Sequence, residues 1–416
     1  MHVLLIGAGG VGEAIVNILS SRKSKNDWLK KMILADSHED RVCRIAEKIG
    51  EPRRFIPAVI DASQKDQIKH IIRYYGVDLV LNASPPYLNR SIFEAAYEAE
   101  THYLDLGAYS LAHPTEPLTT GYEEWIGEYY FNQSQAWADK KRLAVLGAGM
   151  DPGTADVFAR YAEKHLFDEL EEISVKDGNN ITLKDLDFAF GFNVWTLIDE
   201  VLNPPIFWEK DRGWYTGEPF SGEEEFDFPD GIGPQKVISV EHEEVIFIPR
   251  YINKGLRKVD FKIALGDELI NALKVLRSMG LDSTSPIEVN GMHIAPRDLV
   301  AACVTQPADL GEQMEGKVCV GLHVKGVKDG KKREVFIHQT TDHRESMDRY
   351  GCQAVVSQTA LGACITLELL AKGIWTGNGV HSLEYFNPDA FIELMPSYQY
   401  AFGIKELDPL INEGDQ

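Results

Sequence analysis

After Met1 the chain reads His2-Val3-Leu4-Leu5-Ile6-Gly7-Ala8-Gly9-Gly10-Val11-Gly12. The short apolar run before the glycines is typical of a strand that is buried on both faces, as in a parallel sheet. Beyond the glycines, apolar residues between Ala14 and Leu19 recur at helical intervals. A strand, a glycine turn and a helix in this order predict the first unit of a dinucleotide-binding sheet.

Each glycine of this turn has a separate role in holding a dinucleotide. Gly7 permits the tight turn, Gly9 lets the backbone approach the pyrophosphate, and Gly12 allows the helix to pack closely on the strand. The pyrophosphate then lies at the helix N-terminus, where backbone N–H groups point outward. The sequence therefore predicts cofactor-binding residues at Gly7, Gly9, Gly10, Val11 and Gly12.

A second apolar run, Met32–Ala35, stops at the acidic residue Asp36, 24 positions beyond the last glycine of the turn. A carboxylate here can accept hydrogen bonds from the adenosine ribose and would repel a 2′-phosphate, which favours NAD over NADP. Arg41 lies nearby in the sequence and leaves NADP possible. Ser37, which follows Asp36, and Asp61, at the end of the third apolar run, are further predicted cofactor-binding residues.

Apolar runs and helical patterns alternate as far as residue 146, which predicts an α/β fold. We expect an N-terminal Rossmann domain, a doubly wound parallel sheet, over residues 1–150. The loop Asn82-Ala83-Ser84-Pro85 follows the fourth strand at its carboxyl end, where such sheets bind ligands, and is added to the cofactor site. An ordinary turn stiffened by proline is the alternative interpretation.

Past Gly153 the pattern changes to that of a second, α+β domain with an antiparallel or mixed sheet, over residues 151–345. Residues 317–325 and 333–339 predict a hairpin that turns at Asp329-Gly330, and the alternating run Val237–Ile248 predicts another strand. Residues 346–416 contain a long helix rich in small residues, which we expect to pack back on the first domain.

Composition excludes several classes of function. The net charge is −22 and the pI is near 5.0, so nucleic acids and anionic membranes are not expected as partners. No run of about 18 apolar residues is evident that could span a membrane. The five cysteines are scattered and show no metal-ligand spacing, which predicts no metal site and reduced thiols in the cytoplasm.

Four segments of the chain resemble the saccharopine dehydrogenase family: the glycine turn, Asn82–Pro86, Tyr103–Asp105 and Gly147–Gly153. This family includes saccharopine reductases, lysine 6-dehydrogenases and carboxynorspermidine dehydrogenases. The resemblance implies reversible hydride transfer between a nicotinamide and a carbon–nitrogen bond, a two-domain architecture and a homodimer. Several members that use NADP carry an Arg just after the second strand, and this chain departs from them there.

Proton transfer to or from the reacting nitrogen requires a group with a tunable pKa. Asp105, Asp151 and His242 are the candidate catalytic residues, and the acidic neighbours of His242 favour its charged form. The substrate carries carboxylates if it has amino-acid ends, and arginine binds these with paired hydrogen bonds. Arg212 and Arg250, with Arg297 as a further possibility, are therefore candidates for substrate binding.

Trp195 is a further candidate for the substrate site, although a core position is the alternative. The leading hypothesis is an oxidoreductase of amino-acid metabolism that acts on saccharopine, lysine or a similar small-molecule amine. A carboxynorspermidine-type polyamine enzyme is the alternative within the family. A dinucleotide sensor without turnover, and a homoserine-type dehydrogenase acting on a hydroxyl, are the alternatives from other classes.

Overall fold

The computed structural model describes residues 1–22, 25–108, 125–184, 190–191, 193–305 and 310–407. The chain divides into two compact units, and each unit is built from two separate stretches of sequence. Unit 1 comprises Met1–Thr154 and Ser346–Leu394, and unit 2 comprises Ala155–Glu345 and Met395–Gln416.

Unit 1 contains a seven-stranded sheet in which every pair of neighbouring strands is parallel. The strand order is β19-β6-β5-β4-β1-β2-β3. This order reverses direction next to β1, as in a doubly wound fold, and confirms the predicted Rossmann sheet. The strands are β1 (His2–Ile6), β2 (Lys31–Asp36), β3 (Phe55–Val59), β4 (Leu79–Asn82), β5 (His102–Asp105), β6 (Leu143–Val145) and β19 (Gly379–His381).

Helices in the described part of unit 1 follow the strands and return the chain to the start of the next strand. The strands β1, β2 and β4 are almost wholly buried, because helices cover both faces of a parallel sheet. The helices are α1 (Gly10–Ser21), α2 (Glu39–Ile49), α3 (Lys65–Tyr75), α4 (Asn89–Glu98), α5 (Glu128–Phe131), α6 (Ser134–Asp139), α13 (Ala354–Ala371) and α14 (Asp389–Leu394).

The helix α13 is the main contribution of the second sequence stretch to unit 1. It approaches the backbone so closely that a Cβ atom on Gly362 would lie 2.0 Å from the carbonyl oxygen of Gly149. Its length and composition would suffice for a membrane span, contrary to the expectation from the sequence, but 72% of the span is buried inside the protein. The helix is therefore part of the core of unit 1.

Unit 2 contains a nine-stranded mixed sheet, which confirms the predicted second sheet. The main path is β10-β9-β13-β7-β17-β18-β20, and β12 joins β13 at one end and pairs with β11. Only β13 and β7 are parallel. The strands are β7 (Glu169–Asn179), β9 (Ile206–Glu209), β10 (Gly213–Thr216), β11 (Glu224–Phe228), β12 (Gly233–Ser239), β13 (Lys258–Ile263), β17 (Lys317–Lys328), β18 (Lys331–Asp342) and β20 (Gly403–Leu407).

Smaller elements complete the described part of unit 2. Two two-stranded sheets pair β8 (Thr182–Leu183) with β16 (Met314–Glu315), and β14 (Ile287–Val289) with β15 (Met292–Ile294). The helices are α8 (Val194–Leu202), α9 (Glu244–Tyr251), α10 (Asp267–Ser278) and α11 (Pro296–Cys303). Two further helices, α7 (Thr154–Tyr161) and α12 (His343–Tyr350), contain the points at which the chain changes units.

The hairpin of β17 and β18 turns at Asp329-Gly330 as predicted, with Lys328 opposite Lys331. The predicted strand Val237–Ile248 is wrong in its second half. The strand β12 ends at Ser239, and α9 begins at Glu244. Acidic residues such as Glu244 are favourable in the first turn of a helix. Val245–Ile248 are all buried, which fits a helix enclosed by the core better than a strand with one buried face.

Candidate cofactor and amine sites

The glycine turn connects β1 to α1 in unit 1. Gly9 is the N-cap of α1 and offers no side chain to the first-turn N–H groups, which are left for a ligand. A Cβ atom on Gly12 would lie 2.0 Å from the Gly7 carbonyl oxygen, whereas a Cβ atom on Gly9 would meet nothing within 4 Å. The turn thus combines a tightly packed position with an open one, as a pyrophosphate site requires.

Asp36 lies at the carboxyl end of β2, beside this turn. Its Oδ2 accepts a hydrogen bond from the Ala8 N–H at 2.9 Å, and its Oδ1 accepts one from the His38 N–H at 3.0 Å. The Arg41 guanidinium lies 3.2 Å from Oδ2. Burial favours the neutral acid, but the His38 and Ala8 amides and Arg41 outweigh it and lower the pKa of Asp36. The carboxylate is therefore ionised and already paired with a cation.

Ser37 and Asp61 flank Asp36 on the same edge of the sheet. Ser37 is exposed, and its hydroxyl lies 3.1 Å from His38 Nδ1. Asp61 is exposed and accepts hydrogen bonds from the amide and hydroxyl of Ser63, which lower its pKa. Asp61 therefore shapes a turn next to the predicted site of the adenosine.

The loop after β4 lies against the glycine turn. The Ala83 N–H donates to the Ile6 carbonyl oxygen at 2.8 Å, and a Cβ atom on Gly7 would lie 2.5 Å from the Ala83 carbonyl oxygen. Asn82 is buried and accepts hydrogen bonds from the amide of Ser84 at 3.0 Å and from its hydroxyl at 2.5 Å. Pro85 precedes the short helical turn Pro86–Leu88. The structure thus brings this loop and the glycine turn together.

Asp105 and Asp151 differ in their surroundings. Asp105 is buried at the end of β5, and its Oδ1 accepts a hydrogen bond from the Gly147 N–H at 2.7 Å. Asp151 is partly exposed and precedes a cis peptide bond to Pro152. The Asp105 carboxylate therefore helps to hold the glycine-rich segment after β6, and a catalytic role for either residue stays a prediction.

His242 lies in unit 2, in the buried connection between β12 and α9. Its ring stacks on Phe261 with 3.7 Å between centroids and an interplanar angle of 7°. Nδ1 contacts the Glu244 carboxylate and lies 3.7 Å from Glu243, and Nε2 lies 3.8 Å from Glu200 on α8. We call these three glutamates, His242 and the nearby Asp177 of β7 the acidic cluster.

Charge and burial together set the ionisation of the acidic cluster. Burial alone would lower the pKa of His242, but Glu244, followed by Glu200 and Glu243, holds it well above its usual value. Burial raises the pKa of Glu200 to about 8 and that of Asp177 to about 7, although His242 opposes both shifts. His242 is thus a cation among acids, two of which retain protons near neutral pH.

The predicted substrate-binding residues lie elsewhere in unit 2. Arg212 and Arg250 are exposed and lie over aromatic rings, with the Arg212 Cζ atom 3.4 Å from the Tyr215 centroid and that of Arg250 5.4 Å from the Trp214 centroid. Trp195 is the second residue of α8 and lies under the Arg297 guanidinium, which pairs with Asp199. The guanidinium of Arg297 therefore already has a carboxylate partner, Asp199, within unit 2.

Sequence reasoning identified His242 but not Glu200, Glu244 or Asp177. Glu243 and Glu244 were visible only as acidic neighbours. Glu200 lies in a mostly apolar helix, Val-Trp-Thr-Leu-Ile-Asp-Glu-Val-Leu. An acidic residue at a position expected to be buried indicates a functional site, and this feature of the sequence could have identified Glu200. The pairing of distant segments that brings Asp177 to His242 has no local signature.

The parallel sheet, the glycine turn and Asp36 define the class: unit 1 is the dinucleotide-binding part of an oxidoreductase. Two family descriptions match almost the entire chain. Saccharopine dehydrogenase NADP binding domain matches residues 3–145, and Saccharopine dehydrogenase C-terminal domain matches residues 149–399. The chain belongs to the saccharopine dehydrogenase family and is an NAD(P)-dependent oxidoreductase acting on carbon–nitrogen bonds.

Similar proteins include enzymes of known name. The chain is 32% identical to a carboxynorspermidine synthase from Vibrio alginolyticus, with 98% of both chains covered. It is 29% identical to a carboxyaminopropylagmatine dehydrogenase from Synechocystis, with 94% of both covered. Its fold is similar to that of saccharopine dehydrogenase from Saccharomyces cerevisiae, with a TM-score of 0.69, 13% identity, and 98% of this chain and 100% of that chain covered.

Proposed function

We propose that this protein forms a carbon–nitrogen bond between an aliphatic amine and an aldehyde that carries an amino acid group. One relative is named for a carboxylated norspermidine, and the other for a carboxyaminopropyl derivative of agmatine. The corresponding reaction joins a primary amine to a four-carbon amino acid aldehyde with loss of water, and a hydride and a proton reduce the resulting C=N bond. This polyamine-type reading is supported better than the saccharopine and lysine reading.

The acidic cluster is the observation that carries this proposal. Its ionised carboxylates provide negative charge for a protonated amine, and an amine that carries no carboxylate of its own suits them better than lysine does. His242, held between carboxylates, can give a proton to or take one from a bound nitrogen. The nicotinamide supplies the hydride when the cofactor is bound. Asp105, Asp151, Trp195, Arg212 and Arg250 remain further proposals for contacts with substrate.

The cofactor proposal concerns the pair of Asp36 and Arg41. A free carboxylate would repel a 2′-phosphate, but the carboxylate of Asp36 is paired with Arg41. Arg41 and Arg44 line one open depression together with His38, Glu39 and Asp40. We therefore propose that the enzyme uses NADP(H), whereas the sequence alone favours NAD. The glycine turn and the loop Asn82–Pro85 would hold the part of the cofactor that both dinucleotides share.

The decisive experiment follows the oxidation of NADPH and NADH by absorbance. Diaminopropane, agmatine and putrescine are each combined with aspartate semialdehyde, and lysine is combined with oxoglutarate as the competing reaction. We expect turnover only with a polyamine-type amine. Faster turnover with lysine and oxoglutarate would contradict the proposal, as would activity unchanged in Glu244→Gln.

Glu244→Gln should lower kcat/KM for the amine by about tenfold or more, because it removes a charged acceptor. Glu225→Gln makes the same chemical change at an exposed position of β11 and should leave the rate unchanged.

We further propose a homodimer in the cytoplasm. All five cysteines are free, which fits a reducing compartment. Light scattering of the purified protein measures the oligomeric state directly, and a monomer at micromolar concentration would contradict the proposed dimer.

A further inference from the structure

The Asn82 carboxamide holds the start of the loop Asn82–Pro85, and its neighbours fix its orientation. Asn82 is 2% exposed, and its Oδ1 accepts hydrogen bonds from the amide and the hydroxyl of Ser84. Its Nδ2 lies 2.6 Å from Asn89 Oδ1 and 3.1 Å from the Tyr103 hydroxyl. A flipped carboxamide would place its nitrogen against the Ser84 N–H, a contact between two donors. Both bonds to Ser84 therefore require the observed orientation of Asn82.

Asn89 links this carboxamide to the loop after the next strand. It is the first residue of α4 and is 2% exposed, and its Nδ2 donates to the carbonyl oxygen of Gly107, which follows β5, at 2.7 Å. Because a carbonyl oxygen can only accept, Asn89 presents its nitrogen to Gly107 and its oxygen to Asn82. Donors and acceptors thus follow one another from Gly107 through Asn89 to Asn82, and they connect the loops that leave β4 and β5.

Tyr103 supplies the second acceptor for the Asn82 nitrogen. Its side chain is fully buried, and burial, followed by the Asp105 carboxylate, holds the pKa of Tyr103 well above its usual value. The hydroxyl therefore stays neutral and remains a hydrogen-bond partner for Asn82. The nitrogen of Asn82 thus has two acceptors outside the loop, one for each of its N–H groups.

We propose that Asn89 and Tyr103 are positioning residues for the cofactor: through Asn82 they hold the loop Asn82–Pro85 in the shape that binds the dinucleotide. The inference rests on the proposed cofactor site, since it assumes that this loop contacts the cofactor. The loop lies against the glycine turn of unit 1. A loop that is already ordered lowers the entropic cost of binding, so neither side chain has to touch the cofactor itself.

Titrations of NADPH and NADH fluorescence with full-length variants test this inference. Asn89→Ala should weaken the binding of both cofactors about tenfold, because it leaves a buried donor of Asn82 without its acceptor, and Tyr103→Phe should act in the same direction. In the background of Asn82→Ala, the further change Asn89→Ala should have little effect, since the residue through which it acts is already lost. Losses that simply add in the double variant, or wild-type affinity in Asn89→Ala, would overturn the inference and leave the proposed function intact.

Thr101→Val is the matched control for stability. The Thr101 hydroxyl is buried just before β5, at the opposite end of that strand from Gly107, and donates to the Val77 carbonyl oxygen at 2.9 Å. Thr101→Val should lower the melting temperature of the protein without cofactor but leave the cofactor affinity unchanged. A loss of affinity in Thr101→Val as large as that in Asn89→Ala would show that lowered stability explains both, and would overturn the inference.

Tyr103→Phe keeps the test open if Asn89→Ala does not fold, because it removes one hydroxyl and retains the buried ring. Its effect on affinity should likewise disappear in the background of Asn82→Ala. Wild-type affinity in Tyr103→Phe would then overturn the inference. Absence of dinucleotide binding by the wild-type protein would overturn both the inference and the proposed cofactor site.

Discussion

At the scale of single residues, two glycines of the glycine turn are required for different reasons: Gly12 for folding and Gly9 for binding the cofactor. Gly12 has no space for a side chain, because its Cβ atom would clash with the backbone of Gly7. Gly9 has space for a side chain in the protein alone, and that side chain would instead extend into the proposed position of the pyrophosphate. Two alanine variants at neighbouring sites should therefore have different effects.

We expect Gly12→Ala to lower the melting temperature, because a Cβ atom 2.0 Å from a carbonyl oxygen forces the backbone apart. Gly9→Ala should melt like the wild type but bind NADPH at least about tenfold more weakly. Thermal unfolding and a titration of NADPH fluorescence measure the two effects. Wild-type affinity in Gly9→Ala would contradict the assigned pyrophosphate site.

The pair of Asp36 and Arg41 makes the second prediction at this scale. Arg41→Ala should weaken NADPH binding by about tenfold or more, since it removes a charged contact and frees an anion beside the 2′-phosphate. NADH binding should change little. Titrations of both cofactors give the ratio, and Arg53→Ala, a change at an exposed arginine before β3, is the matched control. Equal losses for both cofactors would argue against the proposed preference.

At the scale of elements, the hairpin of β11 and β12 is joined to the sheet by ion pairs as well as by the pairing of β12 with β13. Lys176 and Lys262 lie opposite each other on parallel strands, and the Glu224 carboxylate bonds to both. Burial favours the neutral acid, but Lys176 and then Lys262 outweigh it and lower the pKa of Glu224 to about 2. The hairpin thus supplies the counter-ion that lets Lys176, 1% exposed, stay in the sheet.

Glu224→Gln should destabilise unit 2 by about 1–3 kcal/mol at pH 7, less than for a fully buried pair because Glu224 is 40% exposed. A depressed pKa stabilises the folded state above the unfolded value of 4.5 and loses that effect as the pH falls toward 2. The difference from wild type should shrink over that range. Urea unfolding at several pH values tests this, and a difference that grows in acid would contradict it.

The sequence predicted these elements where the pattern was local. The βα alternation of unit 1 and the turn at Asp329-Gly330 required only periodicity and turn chemistry. Val237–Ile248 was mistaken for one strand because only four residues, Val240–Glu243, separate β12 from α9, and both elements are rich in buried apolar residues. The glycine turn and Asp36 were predictable, whereas Glu200 joins His242 only through tertiary packing. Three-residue β19 offers too short a pattern to recognise.

At the scale of the whole molecule, unit 1 is built from two stretches of sequence that lie on either side of residues 155–345. The strand β19 pairs with β6, with Val380 opposite Ala144, and α13 fills the space beside Gly149. These contacts bury the small-residue face of α13, which would otherwise be exposed to water.

A fragment of residues 1–154 should therefore fail to fold cooperatively, because it lacks β19 and α13. A fragment that joins residues 1–154 to 346–394 by a flexible linker should melt cooperatively and bind dinucleotide. Circular dichroism melting distinguishes the two. A cooperative transition in the shorter fragment, at the temperature of the joined one, would show that the second stretch is dispensable.

The late position of β19 has a consequence for biosynthesis. The chain must lengthen by 236 residues between Val145 and His381, which takes about 10–50 s at roughly 5–20 residues per second. Throughout that interval the segment of β6 lacks its partner strand β19, and the apolar surface that α13 covers in the finished protein stays exposed. The emerging polypeptide therefore carries an aggregation-prone edge until residues 379–381 leave the exit tunnel.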